Sequence, residues 1–252
     1  MIVIEDLHKN FDGNRVFNGL TLRVPHGNIL ALIGGSGSGK SVLLKHVSGL
    51  MRADRGRIVL DGNDLNLVRG RELTGLRSRL GFLFQGGALF DSMTVLENVA
   101  FPLREKTKLA ADKIKTRALE ELENVGLSGS ENKYPSQLSG GMAKRAALAR
   151  ALITDPEIML FDEPTTGLDP VTGTSILRLI DACRKRLDFT GIIVTHEIPK
   201  VFDIVDRVAL VKDGVVREEG TTSEFISSDD PLVKAFLGTG PEHRTGGAGL
   251  GH

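Results

Sequence analysis

The stretch "ILALIGGSGSGKSVLLKHVSGL", residues 29–50, decides the fold. Its first residues form a short apolar run, the pattern of a strand buried on both faces. A glycine-rich turn follows, and then a helical period. The turn satisfies G-x-x-x-x-G-K-[ST]. Gly34, Gly35, Ser36, Gly37, Ser38 and Gly39 let backbone N–H groups curl around phosphate oxygens, and the helix that follows adds its positive N-terminal end. Lys40 is placed to reach the β- and γ-phosphates of a nucleotide such as ATP, and Ser41 to hold Mg²⁺.

Further along, "GFLFQ" (residues 81–85), "IMLFDE" (158–163) and "GIIVTH" (191–196) have the same buried-strand pattern. They alternate with helical segments, which points to an α/β fold with a largely parallel sheet. Ligands of such sheets sit beyond the carboxyl ends of the strands. One edge therefore receives the glycine-rich turn, Gln85, Asp162, Glu163 and His196. Asp162 is expected to bind Mg²⁺ through water, and Glu163 to orient and deprotonate an attacking water. Gln85 can ligate Mg²⁺ or the lytic water, and His196 can bond the γ-phosphate. Phe11 has two readings, a ring that stacks on adenine or a core residue beside the first hairpin.

Between residue 86 and about 156 the strand signal disappears. "LAADKIKTRALEELENVGL" reads as a helix that Gly126 ends, and "SGGMAKRAALARALI" as another, so a helical segment is inserted into the sheet. Asp169 suits an N-cap with Pro170 behind it, and Ile176, Leu179, Ile180, Cys183 and Leu187 fall on one apolar face. Residues 206–219 read as a hairpin turning at Asp213-Gly214. The glycine-rich end, residues 241–252, is expected to lack fixed structure in isolation.

The chain has 252 residues, with 32 Lys plus Arg against 32 Asp plus Glu. That balance argues against a nucleic-acid partner, which needs a basic excess. One cysteine excludes an internal disulfide. No apolar run approaches the roughly 20 residues that span a bilayer, and the N-terminus lacks the layout of a signal peptide. A membrane role would need another chain to supply the membrane part.

A second phosphate grip stands at Ser139, Gly140 and Gly141, opening a helix in the insertion. A P-loop meets the phosphates from one side only. A rigid chain cannot fold the insertion back onto its own P-loop, but a second copy docked head to tail can present it. The chain is therefore expected to form a homodimer with two shared ATP sites.

"GGSGSGKS", "FLFQ", "LSGGM", "IMLFDEP", "TGLDP" and "VTHE" together resemble the Walker A, Q-loop, signature, Walker B, D-loop and H-loop of ABC-transporter ATPase subunits, in that family's order, over roughly residues 2–220. The resemblance implies a P-loop NTPase domain over residues 1–240, with a mostly parallel sheet core, an antiparallel β-subdomain and the helical subdomain at about 86–156. It makes Glu163 the catalytic base, adds His196 and Gln85 to the catalytic set, and puts Asp169 in the loop facing the partner subunit. Met142 stands where many members carry Gln, Phe11 where Tyr is commoner, and "TGLD" where "SALD" is frequent.

"LSGGMAKRAALARAL", "FQGGALFDSMTVLENVAFPLRE" and "DDPLVKAFLG" are similar to the ATPases of Mla-type, MCE-linked systems. That likeness implies phospholipid or other lipid transport at the cytoplasmic face of a bacterial inner membrane. The partners it implies are an MlaE-like integral membrane permease, an MCE-domain lipid-binding protein and a small STAS-domain protein. The permease would dock on residues 85–105, where Leu89 and Phe90 either meet it or pack the insertion's own core. Another cargo, such as an amino acid or a metal, and a non-transport ABC ATPase are the alternatives. The absence of a second cassette or a heptad stretch weighs against the last.

Overall fold

The computed structural model describes residues 1–238, so the expected tail at 241–252 lies outside the described residues. In chain order the elements are β1 (Ile2–Phe11), β2 (Asn14–Val24), β3 (Ile29–Gly34), α1 (Lys40–Val47), β4 (Arg55–Leu60), β5 (Asn63–Asp64), α2 (Gly70–Ser78) and β6 (Leu80–Leu83). Three helices follow, α3 (Val95–Lys106), α4 (Ala111–Asn124) and α5 (Gly140–Leu152). The chain then runs through β7 (Ile158–Asp162), α6 (Pro170–Leu187), β8 (Thr190–Val194), β9 (Arg207–Lys212), β10 (Val215–Thr221), α7 (Thr222–Ile226) and α8 (Pro231–Phe236).

The strands form two sheets. One is antiparallel in the order β2-β1-β4-β5. The other runs β10-β9-β3-β8-β7-β6 and is parallel except for β10, which returns beside β9. The Asp213-Gly214 turn between those two has φ of 54° and 75°, the pair of positive values a two-residue hairpin turn needs.

The continuous apolar runs are explained by what covers each face. Leu30, Leu32, Leu160, Ile192 and Val194 point into one cluster, filled by Ile2, Ile4 and Leu7 of β1 and by Leu43, Leu44 and Val47 of α1. Ile29, Ala31, Ile33, Met159, Phe161 and Ile193 point into a second, filled from α5 and α6. Full burial of each such side chain contributes about 1.5–3 kcal/mol, so both faces of this sheet are committed. Register aligns the ends: Leu32 pairs with Val194, Asp162 with Val194, and Leu83 with Phe161. The strands stop at Leu83, Asp162 and Val194, so Gln85, Glu163 and His196 lie just past their strands rather than within them.

The helices α3, α4 and α5 share a third cluster around Val99, Leu103, Ala118, Leu122 and Ala149. Helix α5 belongs to two clusters at once: Ala147, Leu148 and Leu152 face the sheet, Ala146 and Ala149 the neighbouring helices. Gly126, at φ 71°, follows the end of α4. Asp169 caps α6, accepting from the amides of Val171 and Thr172 at 3.1 and 3.0 Å. Cys183 is buried on the face of α6 that meets the sheet.

Helix α3 lies within the expected helical insertion but was not singled out there, because Pro102 inside it breaks the pattern. A capping box starts it: Glu97 N–H donates to Thr94 Oγ1, and Thr94 N–H to Glu97 Oε2. Asn98, fully buried, then fastens the preceding loop. Its amide donates to the carbonyls of Phe90, Met93 and Thr94 at 3.0–3.1 Å and accepts from Phe90 N–H at 2.8 Å. Removing one member of a buried network costs about 1–3 kcal/mol for each group left unpaired. Asn98→Ala is therefore expected to lower unfolding stability by at least ~2 kcal/mol in urea titration.

Candidate functional site

The glycine-rich turn between β3 and α1 frames a cavity of about 530 Å³, lined by Val16, Gly34, residues 36–42, Gln85, Glu163, Thr166 and His196. Gly39 is the N-cap of α1 with φ 90°, and a Cβ there would come within 2.6 Å of Val16 and 2.9 Å of Phe17. Only glycine holds that turn. Lys40 Nζ donates to the carbonyls of Gly34 and Gly35 at 2.9 and 3.0 Å, from a largely buried position at the cavity floor. Burial pushes its ammonium below the usual lysine range, and Glu163 and then Asp162 partly offset that.

Ser41 Oγ donates to Asp162 Oδ1 at 2.7 Å, which joins the start of α1 to the end of β7. This hydroxyl–carboxylate pair is a hard-oxygen donor set, the type that suits Mg²⁺ together with phosphate oxygens. Gln85 reaches the same cavity from beyond β6.

Glu163 is held in a sparsely populated conformation, φ 49°. Its N–H donates to the Val194 carbonyl at 2.9 Å. Thr166 Oγ1 donates to Glu163 Oε2 at 2.5 Å, and His196 Nδ1 lies 2.6 Å from the same oxygen. The His196 side chain is 62% exposed and that of Glu163 18%, so the imidazole forms the open rim and the carboxylate the inner wall.

Two cations of α5 reach this region, and neither was singled out in the sequence. Lys144 Nζ donates to the carbonyl of Gln85 and sits 3.4 Å from that of Glu163. Burial lowers its pKa, with Asp162 and then Glu163 opposing. Arg150 donates to the carbonyls of Ala88 and Gly87 at 2.7 and 2.8 Å. Charged residues at helical spacing are ordinarily solvated. The only hint was their place among alanines and leucines.

Phe11 stands 37% exposed at the end of β1, so the core reading of this residue does not hold. Lys9 Nζ covers its ring at 5.2 Å and is itself fixed on Asp54 at 2.7 Å. Ser139 caps α5, its Oγ accepting from Met142 N–H at 3.3 Å. At Gly141 a Cβ would lie 2.6 Å from Thr172 Cγ2, which explains the need for a small residue there. Phe11, Ser139, Gly140 and Gly141 are not among the residues lining the cavity.

A second concavity, about 460 Å³, opens beside β6 and α3. Phe82 stacks on Phe84 at 4.1 Å, Phe90 tilts against Phe101 at 4.8 Å, and Arg150 lies over Phe90. Leu89 turns inward to pack with the sheet and helix clusters, whereas Phe90 is 41% exposed on the groove. Among the described residues no helix is long and apolar enough to cross a membrane.

The family model described as ABC transporter matches residues 17–166. A probable ribonucleotide transport ATP-binding protein of Mycobacterium leprae is 42% identical over 236 residues, covering 94% of this chain and 68% of that protein. The chain thus spans about two thirds of the length of its mycobacterial relatives. The intermembrane phospholipid transport system ATP-binding protein MlaF of Haemophilus influenzae is 44% identical over 226 residues, covering 89% of this chain and 86% of that one. Among solved structures, a dimeric ATP-binding cassette in a post-hydrolysis state bound to ADP and Pi is similar at TM-score 0.81 and 33% identity, over 88% of this chain and 99% of that chain.

Lys40 offers a charge-assisted donor where phosphate would sit, and such bonds are worth about 1.5–3 kcal/mol. Lys40→Ala is expected to weaken binding of a fluorescent ATP analogue by at least about tenfold, measured by titration.

Proposed function

The chain belongs to the ABC transporter family, and from that premise we propose that it is the ATP-hydrolysing subunit of a bacterial lipid transporter. It is an ATPase cassette. The single observation that carries the chemistry is the meeting of Lys40, the Ser41–Asp162 pair and the Glu163–His196 pair at one sheet edge.

Glu163 takes the proton of the attacking water as its oxygen approaches the γ-phosphorus. Lys40 and the amides of residues 34–41 hold the phosphate oxygens, and most of the rate gain comes from this fixed placement of charge. His196 Nδ1, now on Glu163, holds the carboxylate in place and lies at the rim where γ-phosphate oxygens would arrive. Ser41, Asp162 and Gln85 would hold Mg²⁺, which when bound neutralises charge on the β- and γ-phosphate oxygens.

The open side of the cavity is closed by Ser139, Gly140 and Gly141 of a second copy, docked head to tail. Phe11 offers its face to adenine. ATP favours the closed dimer only while the γ-phosphate is present, so hydrolysis reopens it. That cycle drives an integral membrane permease seated on residues 85–105, where Phe90 and Phe101 face the aromatic groove, at the cytoplasmic face of the inner membrane. Similarity to MlaF supports phospholipid as cargo, with an MlaE-like permease, an MCE-domain protein and a small STAS-domain protein as partners. The mycobacterial relative named for ribonucleotide transport favours, as a second reading, the same machine serving another cargo. Mass spectrometry of lipids and chains co-purifying with the native membrane complex separates the two.

Glu163→Gln is expected to bind ATP and accumulate as a dimer visible by light scattering; turnover at the wild-type rate would remove Glu163 from the role of base. Ser139→Arg should abolish hydrolysis while a single chain still binds nucleotide. Unchanged turnover in that variant would contradict a shared site.

A further inference from the structure

We propose that Lys144 is a positioning residue for the hydrolytic step, its ammonium fixing the main chain of Gln85 and of Glu163 at the edge of the cavity. Its role presupposes that Glu163 is the general base.

Lys144 lies on α5, three residues after Gly141, and is only 7% exposed. Alanines stand at 143, 146 and 147 around it, and the buried side chain carries its ammonium to the sheet edge. There the ammonium donates to the Gln85 carbonyl and sits 3.4 Å from the Glu163 carbonyl. These two residues come from different crossovers, one after β6 and one after β7.

The need for such a clamp is greatest at Glu163. Its backbone has the left-handed φ of 49°, which a side-chain-bearing residue keeps only when its surroundings impose it. On the N–H side, the Val194 carbonyl at 2.9 Å imposes it from β8. On the carbonyl side, Thr166 N–H at 3.3 Å closes a local turn, and Lys144 is the group that reaches in from another element. A shift of this carbonyl would swing the carboxylate away from Thr166 and His196. The charges of Asp162 and Glu163 offset in part the cost of burying the ammonium there.

Arg150 holds the next carbonyls, those of Gly87 and Ala88, from the same helix. Helix α5 thus grips the segment after β6 at three carbonyls, and of these two cations Lys144 also reaches a carbonyl of the segment after β7. Through that side chain, the helix capped by Ser139 is joined to the main chain of Glu163 in its own chain.

The test compares Lys144→Met, Lys144→Arg and Glu163→Gln in the full chain. Methionine fills similar volume with no donor. It is expected to lower kcat about tenfold, with affinity for a fluorescent ATP analogue changed less than about twofold. Lys144→Arg keeps a donor and should recover most of the turnover. If Lys144→Met does not fold, Lys144→Gln takes its place, with the same split expected. Wild-type kcat in the donor-lacking variant overturns the proposal. So does a parallel fall in kcat, nucleotide affinity and melting temperature, the mark of a loosened fold. Wild-type turnover in Glu163→Gln would instead overturn the assignment of the base, whatever Lys144→Met does.

Discussion

Parallel pairing of β3, β8, β7 and β6 is the constraint on which the rest of the molecule depends. Strands that share a direction also share the edge at which they end, and the register aligns those ends. Four loops that are far apart in the chain therefore leave the sheet together. Parallel pairing also requires cover on both faces. The antiparallel sheet and α1 cover one face, and α5 and α6 the other. The reactive edge is what remains uncovered, and the glycine-rich turn, the acidic pair and the histidine occupy it.

The electrostatics of that edge follow from burial. Lys40 and Lys144 approach Asp162 and Glu163 from different elements, and both ammoniums are held below the usual lysine range by desolvation. Each is partly offset by the same two carboxylates. Two cations and two anions in a confined space give a site that is polar yet balanced. An incoming triphosphate would upset that balance and meet donors already in place. His196 and Thr166 share one oxygen of Glu163, so the carboxylate is held from two elements at once.

Much of this was legible in the sequence because the signals are local. Residues 29–34 are apolar and the glycines follow at once, so a strand, a phosphate-binding turn and a helix can be read in order. Asp213-Gly214 and Asp169-Pro170 fix a hairpin turn and a helix start by the geometry of two residues each. What escaped depends on distant partners. Helix α3 contains Pro102, which argues against a helix until the Thr94–Glu97 cap and the buried Asn98 network are seen. Lys144 is one charge in a helix, and only the fold brings Gln85 and Glu163 under it. Of the two readings left open for Phe11, the structure removes the core one: it ends a strand at a turn, 37% exposed, with Lys9 over its ring.

The cavity is built from one side, and the groups able to complete it sit on α5, away from the cavity wall. On the reading proposed above, a second copy surrounds the triphosphate. The most direct measurement is the ATPase rate per chain as chain concentration is lowered, with the mass of the particles recorded at each dilution. Shared sites require the rate per chain to fall in step with the fraction of dimer. A rate per chain that stays constant where only single chains remain would contradict them.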